Sequence, residues 1–138
     1  KQEEVRRKLE SVTRPCKLKV LKGYVFRVSK PAICGVEVLA GVLKPGIPLM
    51  RSDGKVIGKV KEIQSMGRNV QEARRGDKVA ISLPEVTMGR QVKEDSLLYA
   101  YLTPRDLKIL REVWNELSDD ERALLTEHYG LSSTPSSE

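Results

Sequence analysis

The stretch KPAICGVEVLAGVLKPGIPLM, from Lys30 to Met50, constrains this chain more than any other part of it. It reads as a strand from Ile33 to Ala40, a break at Gly41, a short apolar run, a turn at Lys44-Pro45-Gly46 and a further strand ending at Met50. Pro45 presets the φ of the first central position of a type II turn, and Gly46 supplies the positive φ of the second. Strands joined this tightly are expected to lie side by side. Val36 and Val38 alternate with Glu37, so one face is apolar and the other wet, as in a strand of a small closed barrel.

The flanking segments continue the pattern. Leu18 and Val20 alternate with Lys17 and Lys19, and Gly23 marks a bulge or bend before Tyr24-Val25-Phe26. Ser52-Asp53-Gly54 is a hairpin turn, Gly58 a bend, Gly67-Arg68-Asn69 a loop, and Arg75-Gly76-Asp77 a turn into Lys78 to Leu83, where Val79, Ile81 and Leu83 face the core. A last β segment opens near Met88-Gly89-Arg90 and closes with Leu97 to Leu102. Short strands at a spacing of about 8–12 residues predict a mainly β fold, a closed barrel, over residues 13–103.

The ends have a different period. In residues 1–12, Val5, Leu9 and Val12 make one narrow apolar stripe, and Glu3/Arg7 and Glu4/Lys8 are paired at i,i+4. A helix this short is marginal alone. With a first residue that is Lys and not Met, the segment reads as the end of a longer linker helix. Thr103 with Pro104 predicts a helix start, and Leu107, Leu110, Val113, Trp114 and Leu117 follow one helical face. Ser118 with Glu121 is a capping box for a second helix, and Gly130 its terminator. Residues 104–130 are thus a two-helix extension, and residues 131–138 a disordered tail.

Only one Trp, four Tyr and one Phe are available, so the core must be mostly aliphatic. No apolar run approaches a membrane span and no signal pattern is found, so a cytoplasmic location is expected. Cys16 and Cys34 lack the spacing of a metal site or disulfide framework and read as buried free thiols. His128, the only histidine, reads as a surface residue near a helix C-terminus. No catalytic constellation or phosphate-cradling P-loop is found, and no cofactor is expected. Residues 13–103 hold 17 Lys/Arg against 8 Asp/Glu, whereas residues 104–138 hold 4 against 8. A basic middle suits a polyanion such as RNA; the same charge equally serves solubility and ion pairing. Lys59, Lys61, Arg68, Arg74 and Arg75 fall on adjoining strands and loops, and Trp114 reads as a core anchor between helices and barrel.

Pro15-Cys16-Lys17, Tyr24-Val25-Phe26, Pro31-Ala32-Ile33-Cys34-Gly35-Val36, Leu43-Lys44-Pro45-Gly46, Pro48-Leu49-Met50, Ala73 through Ile81 and Gly89-Arg90-Gln91 form a collinear set. From Arg14 onward the chain resembles the C-terminal domain, domain four, of archaeal and eukaryotic translation initiation factor five-B, the orthologue of bacterial initiation factor two. The Ala32-Ile33-Cys34-Gly35 wording looks archaeal. The resemblance implies a closed barrel of the elongation-factor-Tu domain-two type carrying two C-terminal helices, a monomeric piece of a parent GTPase whose GTPase domain lies elsewhere. It also implies partners: the ribosome, the acceptor end and methionyl group of initiator methionyl-tRNA, and the C-terminal tail of initiation factor one-A. Ile33, Cys34, Gly35 and Gly76 resemble the bacterial family's aminoacyl-binding positions, and Lys59, Lys61 and Arg68 would neutralise phosphate. For the factor one-A tail the expected site is a groove between the last strands and the helices. It would be anchored by Leu107, Leu110, Trp114, Leu117 and Leu124, with barrel cations beside it. A module that only scaffolds protein, without RNA contact, is the alternative from another class.

Overall fold

Residues 2–131 are described by a computed structural model. The constraining stretch forms β2 (Ala32–Leu43), which runs through Gly41 without stopping there. Gly41 adopts φ +83°, and a Cβ on it would stand 2.0 Å from the Pro15 carbonyl oxygen, so glycine lets two backbones touch and the strand kink without losing its pairing. The Lys44-Pro45-Gly46 turn forms with Gly46 at φ +89° and leads into β3 (Pro48–Arg51). These two strands are not neighbours, contrary to expectation. The turn carries the chain away to another part of the sheet: the Gly46 N–H donates to the Val60 carbonyl (2.6 Å), and the Val60 N–H to that of Ile47 (3.0 Å).

The remaining strands are β1 (Cys16–Arg27), β4 (Val56–Lys59), β5 (Glu62–Ser65), β6 (Arg68–Val70), β7 (Ala73–Arg74), β8 (Lys78–Leu83) and β9 (Leu97–Ala100). Among the described residues they pair antiparallel in the order β4-β3-β9-β1-β2-β8-β5-β6, with β7 on the far end of β2. The sheet is curled, and apolar alternation says which way. Leu18 and Val20 of β1, Cys34, Val36 and Val38 of β2, Val79, Ile81 and Leu83 of β8, Leu49, Ile63 and Leu98 all turn to one buried interior. Each such side chain stabilises the fold by about 1.5–3 kcal/mol relative to exposure. β1 is one irregular strand, with its register shifted between Val20 and Val25 around Gly23 (φ +82°). Arg68 and Asn69, expected in a loop, lie in β6; the turn is Met66-Gly67.

The helices are α1 (Gln2–Ser11), α2 (Pro104–Glu112) and α3 (Asp119–Tyr129). The expected Ser118–Glu121 capping box forms at α3, which ends on left-handed Gly130, and Thr103 caps α2 as expected, with Asp106 completing a second box there that was not anticipated. The apolar face predicted from Leu107 to Leu117 is broken. α2 stops at Glu112, a 3-10 turn follows over Trp114–Glu116, and Leu117 is extended because it must lead into the Ser118 cap. Carboxylates of these helices grip the β unit. Asp106 accepts from the Thr13 N–H (3.4 Å), Asp120 from the Gly41 N–H (2.6 Å), and Glu121 from the Arg14 guanidinium (2.7 and 2.8 Å).

Cys16 and Cys34 are free and buried; burial pushes their thiols up to about 12 and about 11. They serve as small apolar side chains. Of the expected tail, residues 132–138 lie outside the described residues, while Leu131 is packed into the core.

Candidate functional site

An open apolar cleft lies on the outer face of the sheet. Past Val20 the β1 backbone swings at Gly23 and returns with Tyr24 and Phe26 outward, lying across β2. Gly35 permits this, since a Cβ there would meet Tyr24 Cβ at 2.9 Å. The result is a cleft of about 570 Å³, floored by Ile33, Gly35 and Ala80, walled by Tyr24, Phe26 and Met66, and rimmed by Gln64 and Lys78. Tyr24 is 54% exposed, Phe26 63% and Met66 101%. The two aromatic rings sit edge to face with centroids 6.4 Å apart. Large apolar side chains grouped in the open around a cleft mark a binding surface.

Of the residues singled out in the sequence, Ile33 and Gly35 line this cleft. Cys34 does not, because successive strand residues point to opposite faces and its side chain is fully buried. Gly76 occupies a turn at φ +94°, its N–H donating to the Val38 carbonyl (2.8 Å), away from the cleft lining. Arg68 is exposed on β6, beside the Met66-Gly67 turn that forms one wall. Lys59 ends β4 opposite Pro48, and Lys61 lies in the link between β4 and β5; both are exposed and neither reaches the lining. Tyr24, Phe26, Met66 and Ala80 were not among the expected site residues, although Tyr24, Phe26 and Ala80 belong to the collinear set that carries the resemblance. The available signal was Tyr24 and Phe26 on one strand parity in a chain with so few aromatics.

The expected partner anchors are not gathered in one groove. Leu110 and Leu117 are interior, Leu107 and Trp114 pack partly against the same core, and Leu124 belongs to a separate cluster with Met50 and Tyr99. Trp114 instead faces α1, sharing a hollow with Val5 and Glu112, which pairs with Lys8 at 3.1 Å. A different hollow, about 420 Å³, opens between α3 and the sheet, lined by Leu39, Ala40, Ala123 and Leu124, the cations Lys17 and Arg75, and the carboxylates Asp119, Asp120 and Glu127. Burial would push the Asp120 carboxyl up, but hydrogen bonds from Gly41 and Ser118, with the charge of Arg75, hold it below its ordinary value. His128 is not a free surface residue: its ring stacks on Tyr99 (3.7 Å, 3°). Burial lowers its pKa, with a smaller push from Lys17.

Among the described residues no helix is long and apolar enough to cross a membrane, and no three His, Cys, Asp or Glu side chains gather in metal-binding geometry.

A family model described as elongation factor Tu domain 4 matches residues 14–99. The chain is 46% identical over 125 residues to a probable translation initiation factor IF-2 of Methanopyrus kandleri, covering 90% of this chain and 21% of the relative. It is 48% identical over 126 residues to the corresponding protein of Hyperthermus butylicus, again covering 90% and 21%. Among solved structures, GDP-bound aIF5B from Aeropyrum pernix matches with a TM-score of 0.84 and 40% identity, over 94% of this chain and 22% of that one. A bacterial selenocysteine-specific elongation factor EF-Sec matches at 0.51 and 26%, over 75% and 18%. The chain thus spans about 21% of the length of the curated relatives it matches.

Proposed function

The chain belongs to the elongation factor Tu domain 4 family, and on that premise we propose that it is the C-terminal module of a translation initiation factor and holds the acceptor end of initiator methionyl-tRNA. The observation that carries this reading is the exposed cleft of about 570 Å³ in a region where cations outnumber carboxylates 17 to 8. A single-stranded acceptor end is read by pocket shape, stacking and phosphate contact, not through a groove. Methionine is an unbranched, polarisable side chain that fills an irregular apolar slot well. Ile33, Gly35 and Ala80 would contact the methionyl group, with Cys34 supporting the floor from inside. Lys78 and Arg68 stand nearest for phosphate, and Lys59 and Lys61 serve a more distant stretch of the RNA. We read the curl of the sheet as a closed barrel, because β4 and β5, near opposite ends of the pairing order, are joined through Val60 and Lys61 alone. The module itself is non-catalytic and needs no cofactor; GTP hydrolysis belongs to the remainder of the parent factor, which works on cytoplasmic ribosomes during subunit joining.

The cleft reading is tested by titrating the chain with methionylated and uncharged initiator tRNA. Burying a methionine side chain is worth about 1.5–3 kcal/mol, a preference of about ten- to hundredfold for the charged form. Ala80→Leu fills the floor and is expected to bring that preference close to one while leaving affinity for uncharged tRNA intact. Equal affinities in the unaltered chain would remove the methionyl pocket, and no tRNA binding at all would favour the scaffold reading.

The acidic, apolar tail of initiation factor one-A is proposed to dock in the hollow between α3 and the sheet, where Leu39 and Leu124 offer apolar contact and Lys17 and Arg75 supply cations; of the three carboxylates in the lining, Asp119 is paired with Arg122 and Asp120 accepts from the Gly41 N–H, which leaves Glu127 opposing the tail. Arg75→Glu is expected to weaken tail-peptide binding about tenfold in a calorimetric titration. An unchanged affinity would sink this docking site.

A further inference from the structure

We infer that the chain carries a second, purely phosphate-binding contact for RNA, separate from the apolar cleft, in a hollow built by Arg51, Arg90 and Lys93. This inference rests on the RNA reading above. The hollow, about 530 Å³, lies between the β3–β4 hairpin and the loop that precedes β9. Three cations and one carboxylate, Asp53, line it, and Asp53 is committed to Arg51. Among the described residues neither Arg90 nor Lys93 has an ion-pair partner. The adjacent Glu94 carboxylate is engaged elsewhere, accepting from the Gly23 N–H (2.8 Å).

The loop that holds the two cations is fixed by its own backbone. The Gly89 N–H donates to the Val92 carbonyl (2.7 Å), that of Arg90 to Thr87 (3.0 Å) and that of Met88 to Val28 (2.8 Å), while Gln91 accepts from the Thr87 N–H (3.0 Å). The cations therefore start from a positioned backbone, which reduces the ordering cost of binding. The hollow also has a defined relation to the cleft. Ser96 on its wall accepts from the Val20 N–H (2.9 Å), and Leu21, the next residue, lines the cleft. The two depressions thus meet across one strand. A polyanion whose end enters the cleft can run over β1 with its backbone phosphates against Arg90 and Lys93. Leu97 is the one apolar residue in its lining, and two cations without ion-pair partners among the described residues face it, so backbone phosphate is the ligand its charges suit.

The test compares the unaltered chain with an Arg90→Ala/Lys93→Ala double variant, titrated with methionylated and uncharged initiator tRNA across a salt series. Each lost phosphate contact flattens the slope of log affinity against log salt by about one, so the double variant is expected to lose about two. Its preference for methionylated tRNA is expected to stay unchanged. Arg90→Lys/Lys93→Arg, which keeps both charges, is expected to restore the slope. If the unaltered chain binds tRNA but the Ala variant keeps its full slope, the second contact is refuted while the cleft reading stands. The second contact equally falls if methionyl preference is lost along with the slope, or if the charge-conserving variant behaves like the Ala variant. If the unaltered chain binds no tRNA, the underlying RNA reading falls as well.

Discussion

Replacing Glu121 with alanine is expected to destabilise the chain by about 3–5 kcal/mol, the cost of removing one partner from a buried ion pair. Glu121 is fully buried, and its two carboxylate oxygens accept from Arg14 at 2.7 and 2.8 Å. One of these oxygens also accepts from the Ser118 N–H (3.0 Å) and hydroxyl (3.1 Å), closing the α3 capping box. The substitution would therefore strand a guanidinium that is only 13% exposed and uncap a helix at the same time. Glu121→Gln keeps acceptors for the cap but not the charge, so it should fall between the two. An Arg14→Met/Glu121→Leu pair, apolar on both sides, should recover much of the loss because no charge is left without a partner. The check is the urea midpoint of each variant. A Glu121→Ala midpoint within experimental error of the unaltered chain would mean that the Arg14 contact does not hold α3 to the start of β1.

That junction shows which parts of the fold were legible in the sequence. Period-two alternation identified Val36 and Val38, and Val79, Ile81 and Leu83, as core-facing because one face of each strand is buried. The Ser118–Glu121 capping box was legible because its hydrogen bonds join residues three apart, and Thr103 was legible as a cap from Pro104 beside it, whereas the return bond from Asp106 was not read. Strand partners were not. The Lys44-Pro45-Gly46 turn sets a local change of direction, whereas the pairing of β9 with both β1 and β3 depends on segments far apart in sequence. The face from Leu107 to Leu117 was read as one helix because its spacing ignores the Ser118 cap, whose extended lead-in forces the chain out of helix. In the site, alternation alone separates Cys34 from Ile33 and Gly35, although all three were grouped on resemblance. The grip of Asp106, Asp120 and Glu121 on the β unit had no local sign, because Thr13, Arg14 and Gly41 are distant in sequence.

Gly41→Ala is expected to rival Glu121→Ala, through backbone contact and not charge. Three penalties coincide there. The residue holds φ +83°, a region that costs a non-glycine residue about 1–3 kcal/mol. The new methyl would stand 2.0 Å from the Pro15 oxygen and 2.8 Å from Cys16 Cα, atoms of a neighbouring backbone that cannot swing aside as a side-chain tip could. Relieving that clash means moving β1 away from β2, an overpacking cost of about 1–3 kcal/mol. Such a shift would also pull the Gly41 N–H from Asp120, loosening α3 where the proposed tail-binding hollow lies. Gly46→Ala is the matched control: its φ is +89°, but nothing lies within 4 Å of the added carbon, so only the conformational cost of about 1–2 kcal/mol applies. In urea unfolding Gly41→Ala should lose about 2–6 kcal/mol, well beyond the control, and amide exchange should rise in α3 as well as in β1. Equal losses in the two variants would mean that β1 and β2 do not approach so closely in solution. Exchange confined to the strands would mean that the Asp120 hydrogen bond does not couple the helix to the kink.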